Sequence, residues 1–198
     1  MNKDILLCGV GGQGIVLVSK LLAASAMAAG ETVHSAETIG MAQRGGSVTS
    51  HVRIGESYSP LIPSGCAELM LAFEPAEAVR NLPLLNQNGT VIVSSQPVMP
   101  VTASLSGGSY QAGPMLEFLK TRVKKVITAN PAELCAPLGS VRYFNVVMLG
   151  IAVAAGVTGL PEEIVRQSVE SRVPEKFREI NAKALKIGID YYNSIEGM

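Results

Sequence analysis

Residues 5–15 read Ile-Leu-Leu-Cys-Gly-Val-Gly-Gly-Gln-Gly-Ile, and this stretch decides the fold of the chain. A short apolar run ends in glycines and leads directly into a helical pattern. Gly9, Gly11 and Gly14 have the G-x-G-x-x-G spacing that occurs where a turn between a strand and a helix lies close to a phosphate. Glycine permits a tight turn without a Cβ, and the unpaired N–H groups at a helix start favour an anion. The stretch predicts a Rossmann-like start.

The rest of the chain predicts an α/β fold: a single three-layer domain over residues 1–198 with a mostly parallel open sheet. A helix at residues 14–29 and a strand at residues 32–36 complete a βαβ unit. Asn130 and Pro131 suit the cap and the first position of a later helix. Further strands are expected at 48–54, 69–73, 90–94 and 125–129, and further helices at 75–85 and around 117–120. A turn is expected at Asn88-Gly89 and a loosely structured excursion at 95–114. The C-terminal third is expected to be helical, with segments at 143–155, 161–171 and 175–194.

Composition limits the partners of the chain. Sixteen basic and sixteen acidic residues give zero net charge, which argues against nucleic acid or an anionic membrane as the main partner. Charged residues make up 16% of the chain, against about 25% in an average globular protein. This deficit suggests that another protein covers part of the surface. No secretory signal pattern and no apolar stretch of about 20 residues is seen, so a cytoplasmic location is expected.

The three cysteines offer no metal framework. Cys8, Cys66 and Cys135 are far apart, and no Cys-x-x-Cys pair occurs, so neither an iron–sulfur cluster nor zinc has a local ligand set. We expect these cysteines to be buried, reduced thiols.

A second glycine cluster follows the second predicted strand. Residues 39–47 read Ile-Gly-Met-Ala-Gln-Arg-Gly-Gly-Ser. The guanidinium of Arg44 beside Gly45 and Gly46 could bind a phosphate or carboxylate with two hydrogen bonds. The alternative is a flexible loop with a surface arginine.

The chain offers no self-sufficient catalytic set and no metal site. His34 and His51 are expected within strands, and Glu37, Glu74 and Glu77 form no recognisable acid/base pair. Glu37 lies about 20 positions after Gly14, where a dinucleotide-binding fold holds the ribose. NAD binding therefore remains an alternative.

Both glycine clusters together resemble those of the gamma subunits of the 2-oxoacid:ferredoxin oxidoreductases. The match comprises residues 9–14 and 40–48, and then Asn130-Pro131, Leu138-Gly139, Asn145 and Leu149-Gly150. It covers essentially the whole chain. The form Gly-Met-Ala-Gln-Arg-Gly-Gly is most similar to the beta subunits of indolepyruvate ferredoxin oxidoreductases, which are stand-alone versions of this domain.

The resemblance implies a subunit that is inactive alone. Its large partner subunit would hold thiamine diphosphate, Mg²⁺ and [4Fe-4S] clusters, and the complex would convert an aryl pyruvate and coenzyme A into an aryl-acetyl thioester while reducing ferredoxin. No Gly-Asp-Gly motif for thiamine diphosphate occurs in this chain. No cofactor is assigned to the chain alone, and coenzyme A is the expected co-substrate. Its phosphate groups are expected at Gly9, Gly11, Gly12, Gln13, Gly14, Arg44, Gly45 and Gly46.

Several alternatives stay open. The same loops could form the subunit contact instead of binding coenzyme A. The substrate could be pyruvate, 2-oxoglutarate or a branched-chain 2-oxoacid, because the partner is expected to form most of the pocket. A nicotinamide oxidoreductase, or a non-catalytic binding module that forms a homodimer when isolated, represents a different class.

Overall fold

The computed structural model describes residues 1–39, 45–99 and 110–197, and within them one six-stranded sheet organises the chain. The strand order is β2-β3-β1-β4-β5-β6. The strands are β1 (Lys3–Val10), β2 (Val33–Ile39), β3 (Ser47–Ile54), β4 (Ala67–Ala72), β5 (Leu85–Ser94) and β6 (Lys125–Ala129).

The sheet is mostly parallel, as expected, with one reversed strand. The pairs β1–β4, β4–β5 and β5–β6 are parallel, whereas β3 is antiparallel to both β1 and β2. The predicted βαβ unit therefore joins β1 to a strand that runs in the same direction but is not its neighbour, because β3 lies between them. The carboxyl ends of β1, β4, β5 and β6 share one edge of the sheet.

Helices cover both faces of the sheet and give three layers. Successive side chains along each strand point to opposite faces of the sheet and pack into two hydrophobic cores. Ile5 and Leu7 belong to the larger core, and Leu6 and Cys8 to the smaller one. Helices α1 (Ile15–Ala28), α5 (Phe144–Ala154), α6 (Glu162–Arg172) and α7 (Arg178–Glu196) supply the larger core, whereas α2 (Pro75–Asn81) and α3 (Ala112–Arg122) supply the smaller one.

The helical C-terminal third is confirmed, and two of its helices, α5 and α7, pack closely against each other. In α5 every side chain from Phe144 to Val153 is buried. A Cβ added to Gly150 would overlap the carbonyl oxygen of Leu185, and one added to Gly188 would overlap that of Val147. The two glycines therefore allow α5 and α7 to cross at backbone contact distance. The short helix α4 (Pro131–Leu134) has the predicted cap, since Asn130 Oδ1 accepts the N–H of Ala132 at 3.1 Å.

Two local expectations are wrong. Asn88-Gly89 is not a turn between elements but lies inside β5, where the pairing with β4 shifts register between Ala67 and Leu69. A Cβ at Gly89 would approach Leu85 Cδ1 to 2.6 Å, so the glycine accommodates this irregularity. Cys66 is exposed, while Cys8 and Cys135 are buried as expected. Half of the expected excursion at 95–114, residues 100–109, lies outside the described residues, and residues 112–114 belong to α3.

Candidate functional site

The glycine turn lies at the carboxyl edge of the sheet, between β1 and α1. Gly12 and Gly14 have φ values of 99° and 77°, in the left-handed region that favours glycine. Gly14 is the N-cap of α1, and none of the described side chains caps this helix. The start of α1 at this edge of the sheet therefore suits an anion, which the first N–H groups of a helix favour.

The side chain of Gln13 fixes the shape of the turn. Its Oε1 accepts the backbone N–H of Val10 at 2.8 Å, and its Nε2 donates to the carbonyl oxygen of Phe73 at 2.8 Å. Val10 ends β1 and Phe73 follows β4, so one side-chain amide ties the ends of two neighbouring strands to the turn. These two bonds engage both ends of the amide within the chain itself.

The glycines of the turn differ in what surrounds them. A Cβ at Gly9 would lie 2.5 Å from Gln13 Oε1 and 2.9 Å from Ile15 Cδ1, and one at Gly14 would overlap Asn145 Nδ2. Packing within the chain thus accounts for glycine at both positions. A Cβ at Gly12 would meet no described atom within 4 Å. Of these three glycines, Gly12 is the one that the described residues leave uncovered.

The second glycine cluster meets the first one. Gly11 N–H donates to the carbonyl oxygen of Gly46 at 2.8 Å, and Gly45 N–H donates to that of Gly11 at 3.4 Å. The two loops predicted to act together are therefore adjacent in the fold. Arg44 lies outside the described residues, so its proposed role stays a prediction.

Two clefts flank the glycine turn, and Gly12 and Gly14 line both. The first, which we call the arginine cleft, has a volume of about 450 Å³. It is lined by Gly12, Gln13, Gly14, Phe73, Ser94, Gln96, Val98, Pro131, Val141, Arg142 and Phe144. The second, the apolar cleft, has a volume of about 530 Å³ and is lined by Val10, Gly11, Gly12, Gly14, Ile15, Val16 and Val48.

A buried pair of acids organises the segments around the site. Glu74 caps α2 by accepting the N–H of Glu77 at 3.0 Å, and its other oxygen accepts the Tyr110 hydroxyl and the N–H of Val98. Glu77 accepts the hydroxyl of Ser47 at 2.6 Å. Burial, followed by the hydrogen bond to Glu74, raises the pKa of Tyr110. Sequence reasoning found no acid/base pair here, and in this geometry the two carboxylates hold backbone and hydroxyl groups in place.

Two further titratable groups, Cys8 and His51, lie in strands of the sheet, and their contacts are those of structural residues. Burial, followed by the charges of Glu77 and Glu74, raises the pKa of the Cys8 thiol well above its usual value. That thiol is therefore protonated at neutral pH and is a poor nucleophile. His51 lies in β3, as predicted, and its Nδ1 accepts the N–H of Ile62 at 3.2 Å. Burial, followed by the charge of Arg53, lowers the pKa of His51.

The strand order places Glu37 away from the position that an acidic residue needs for NAD binding. Glu37 is an exposed residue of β2 and pairs with Ser50 of β3. Neighbouring strands lie about 4.8 Å apart, so the inserted β3 places β2 roughly 10 Å from β1. In a dinucleotide-binding fold the acidic residue ends the strand next to the glycine turn, and here β3 occupies that place.

Several lining residues were missed by sequence reasoning. Phe73 follows β4, Ser94 is the last residue of β5 and Gln96 follows it, and only the strand order brings them to the glycine turn. Arg142 lies between Leu138-Gly139 and Asn145, inside a matched motif, but nothing in the sequence connects it with the distant turn near the start of the chain. Asn145 itself donates from Nδ2 to the carbonyl oxygen of Gly14 at 3.3 Å.

Within residues 1–39, 45–99 and 110–197, no group of three or more His, Cys, Asp and Glu side chains is placed to hold a metal ion. No helix in the same ranges has the length and apolar character needed to cross a membrane.

Comparison with known proteins identifies the family. The family model of pyruvate ferredoxin/flavodoxin oxidoreductases matches residues 4–191. The chain is 39% identical to the indolepyruvate oxidoreductase subunit IorB of Archaeoglobus fulgidus, over 100% of this chain and 98% of the relative. It is 37% identical to the IorB subunit of Methanothermobacter thermautotrophicus, over 95% of this chain and 96% of that one.

Solved structures share the fold. The keto/oxoacid ferredoxin oxidoreductase gamma subunit of Geobacter sulfurreducens matches with a TM-score of 0.68 and 24% identity, over 97% of this chain and 99% of that chain. The 2-oxoglutarate:ferredoxin oxidoreductase of Magnetococcus marinus, solved with 2-oxoglutarate, coenzyme A and succinyl-CoA, matches with a TM-score of 0.72 and 18% identity. That match covers 98% of this chain and 31% of the longer chain.

The α/β fold with its glycine turn is thus that of a subunit, or a subunit-sized domain, of the 2-oxoacid oxidoreductases. The chain belongs to the pyruvate ferredoxin/flavodoxin oxidoreductase family. Within it, the chain matches these two IorB subunits over 98% and 96% of their length, which confirms the resemblance seen in the sequence.

Proposed function

We propose that this chain is the small subunit of an indolepyruvate ferredoxin oxidoreductase and that it acts only with a large partner subunit. The observation that carries the proposal is the 39% identity to an IorB subunit over the whole length of both chains. The chain contains neither a Cys-x-x-Cys pair nor a Gly-Asp-Gly motif, so we assign the iron–sulfur clusters, and thiamine diphosphate with its Mg²⁺, to the partner.

In the proposed reaction the bond between the keto carbon and the carboxylate of the aryl pyruvate breaks, and the carboxylate leaves as CO₂. The acyl carbon forms a thioester with the sulfur of coenzyme A, the thiol proton is released, and the electron pair passes to ferredoxin. Thiamine diphosphate supplies the carbanion-stabilising chemistry when it is bound in the complex. This chain contributes shape, charge and orientation.

Within the complex, the adjoining glycine loops would lie next to the partner's active site. The open N–H groups at the start of α1 and the cluster Arg44-Gly45-Gly46 suit the phosphate groups of coenzyme A. Gly11 would keep the two loops together through its bonds to Gly45 and Gly46. The competing possibility is that the same loops are the subunit contact.

A substrate panel tests the proposed reaction. The chain is co-expressed with the large subunit, and the purified complex is assayed with ferredoxin and coenzyme A on indolepyruvate, pyruvate, 2-oxoglutarate and a branched-chain 2-oxoacid. The highest kcat/KM is expected for indolepyruvate. A higher value for another of these acids would reject the substrate assignment but would keep the class of enzyme.

Substitution of Arg44 by Ala separates the two roles of the loops. If Arg44 binds coenzyme A, the variant complex assembles normally and shows a raised KM for coenzyme A. If the loops form the subunit contact, the variant fails to co-elute with the large subunit. Normal assembly with unchanged coenzyme A kinetics would remove Arg44 from both roles.

A further inference from the structure

The arginine cleft contains a cationic group that neither glycine motif includes. Arg142 belongs to the single 3-10 turn Val141–Tyr143, immediately before α5. Ser140 stabilises this turn, since its Oγ accepts the N–H of Arg142 at 3.3 Å. The backbone that carries Arg142 is therefore held in an ordered turn at the wall of the cleft that Gly12 and Gly14 also line.

The described residues that line the arginine cleft contribute only positive charge. Among the described residues that line it, Arg142 alone carries a charged side chain. In the described part of the chain no carboxylate forms an ion pair with its guanidinium. Glu74 follows the lining residue Phe73 in the sequence, and the carboxylates of Glu74 and Glu77 are occupied by Tyr110, Val98, Ser47 and Arg80. The side chain is thus available to an anion that enters the cleft.

The remaining lining indicates what the anion is attached to. Phe73, Phe144, Val98, Val141 and Pro131 form apolar walls, and Ser94 and Gln96 add a few polar groups. Cavities of about 300–1,000 Å³ with mostly apolar walls and few polar groups are typical small-molecule sites. Among the described residues, no charged side chain lines the apolar cleft on the other side of the turn. An anionic group carried by an organic ligand with a partly apolar chain therefore fits the arginine cleft better than the apolar one.

We propose that the arginine cleft binds a phosphate group of an organic thiol cosubstrate through Arg142. The inference rests on the proposed function, in which coenzyme A is the acyl acceptor. A guanidinium matches the paired oxygens of a phosphate, and charge-assisted bonds of this kind are about twice as strong as neutral ones. A carboxylate of the 2-oxoacid shares this chemistry, and the experiment distinguishes the two sources.

The test uses the complex of this chain with its large subunit. Arg142→Ala and Arg142→Lys are compared with wild type, and Arg172→Ala is the matched control, because Arg172 is an exposed arginine at the end of α6 and does not line either cleft. KM and kcat are measured for coenzyme A, for dephospho-coenzyme A and for the 2-oxoacid. Binding of coenzyme A to each complex is measured by calorimetry.

Loss of the guanidinium in Arg142→Ala should raise the KM and the Kd for coenzyme A at least tenfold, with kcat at saturating coenzyme A and the KM for the 2-oxoacid unchanged. Arg142→Lys should recover part of the loss, and Arg172→Ala should match wild type. If Arg142 holds the 3′-phosphate, the variant no longer discriminates against dephospho-coenzyme A. If it holds the diphosphate, both KM values rise together. Either pattern supports the inference.

Unchanged coenzyme A binding in an assembled Arg142→Ala complex would overturn the inference, as would a raised KM for the 2-oxoacid alone or a failure to assemble. Failure of the proposed function looks different. In that case the wild-type complex shows no turnover of indolepyruvate, while calorimetry still reports whether Arg142 contributes to binding coenzyme A.

Discussion

The side-chain amide of Gln13 donates from Nε2 to the carbonyl oxygen of Phe73 at 2.8 Å, across 60 residues of sequence. The same side chain accepts the N–H of Val10 at 2.8 Å. The glycine turn is therefore held by a polar bridge between two strand ends and not by glycine content alone.

Replacing Gln13 by Ala should destabilise the chain and loosen the turn. Two hydrogen bonds are lost, and at about 0.5–1.5 kcal/mol each we expect the free energy of unfolding to fall by about 1–3 kcal/mol in urea titrations. Gln167→Ala is the control, because Gln167 is exposed on α6 and its side chain bonds to Glu163 on the same helix. Equal stability of the two variants would show that the bridge contributes nothing.

Gly12→Ala should separate a backbone effect from a ligand effect. Gly30 is a matched control, since both glycines have positive φ, 99° and 80°, and neither has a described atom within 4 Å of an added Cβ. Each alanine variant should lose about 1–2 kcal/mol of stability from the left-handed backbone. In the assembled complex Gly12→Ala alone should raise the KM for coenzyme A. A similar change in Gly30→Ala would mean that the kinetic effect follows stability.

Gly150→Ala should be one of the most damaging single-methyl additions, because the new Cβ would overlap the carbonyl oxygen of Leu185 in α7. Overpacking of this kind costs about 1–3 kcal/mol, which corresponds to a fall in Tm of roughly 2–12 °C for a chain of this size. Gly113→Ala, at an open position in α3, should leave Tm unchanged or slightly raised. A Gly150→Ala variant as stable as wild type would refute the close helix crossing.

His51 should make stability fall on mild acidification. Its pKa is lowered by burial and by Arg53, so the folded state prefers the neutral ring. The resulting stability is present above the unfolded pKa of about 6.5 and is lost as the pH falls toward the folded value. A His51→Gln variant should lose less stability than wild type between about pH 7 and pH 5.

An NMR titration measures the His51 pKa directly. His34→Gln leaves a single imidazole in the chain, and its resonances should titrate below about pH 6.5. A midpoint at or above that value would contradict a pKa lowered by burial.

The sequence predicts the elements of this fold better than their order. Strands and helices follow from local patterns, such as the apolar run before Gly9 and the Asn130-Pro131 start, which is why most of them are confirmed. The insertion of β3 between β1 and β2 depends on pairing such as Leu6 with His51, and no local pattern encodes it. The Asn88-Gly89 pair has the composition of a turn, but it lies within β5, between Leu85 and Thr90, where the pairing with β4 shifts register.

The residues of the candidate site likewise fall into those that a local motif predicts and those that only the fold brings together. The two glycine loops could be predicted because each is a contiguous motif, and Gly11 does lie against Gly45 and Gly46. Arg142 and Phe73 reach the site from distant parts of the chain. Their place follows from the strand order and from the turn before α5, so only the three-dimensional structure reveals them.

Titration of the purified large subunit with this chain, with ferredoxin reduction by indolepyruvate as the readout, tests most directly whether the two subunits act only together. We expect no coenzyme A-dependent activity from either subunit alone, and activity that rises with added chain until the two are stoichiometric. Full activity of the large subunit without this chain, or activity of this chain by itself, would contradict the proposed division of roles.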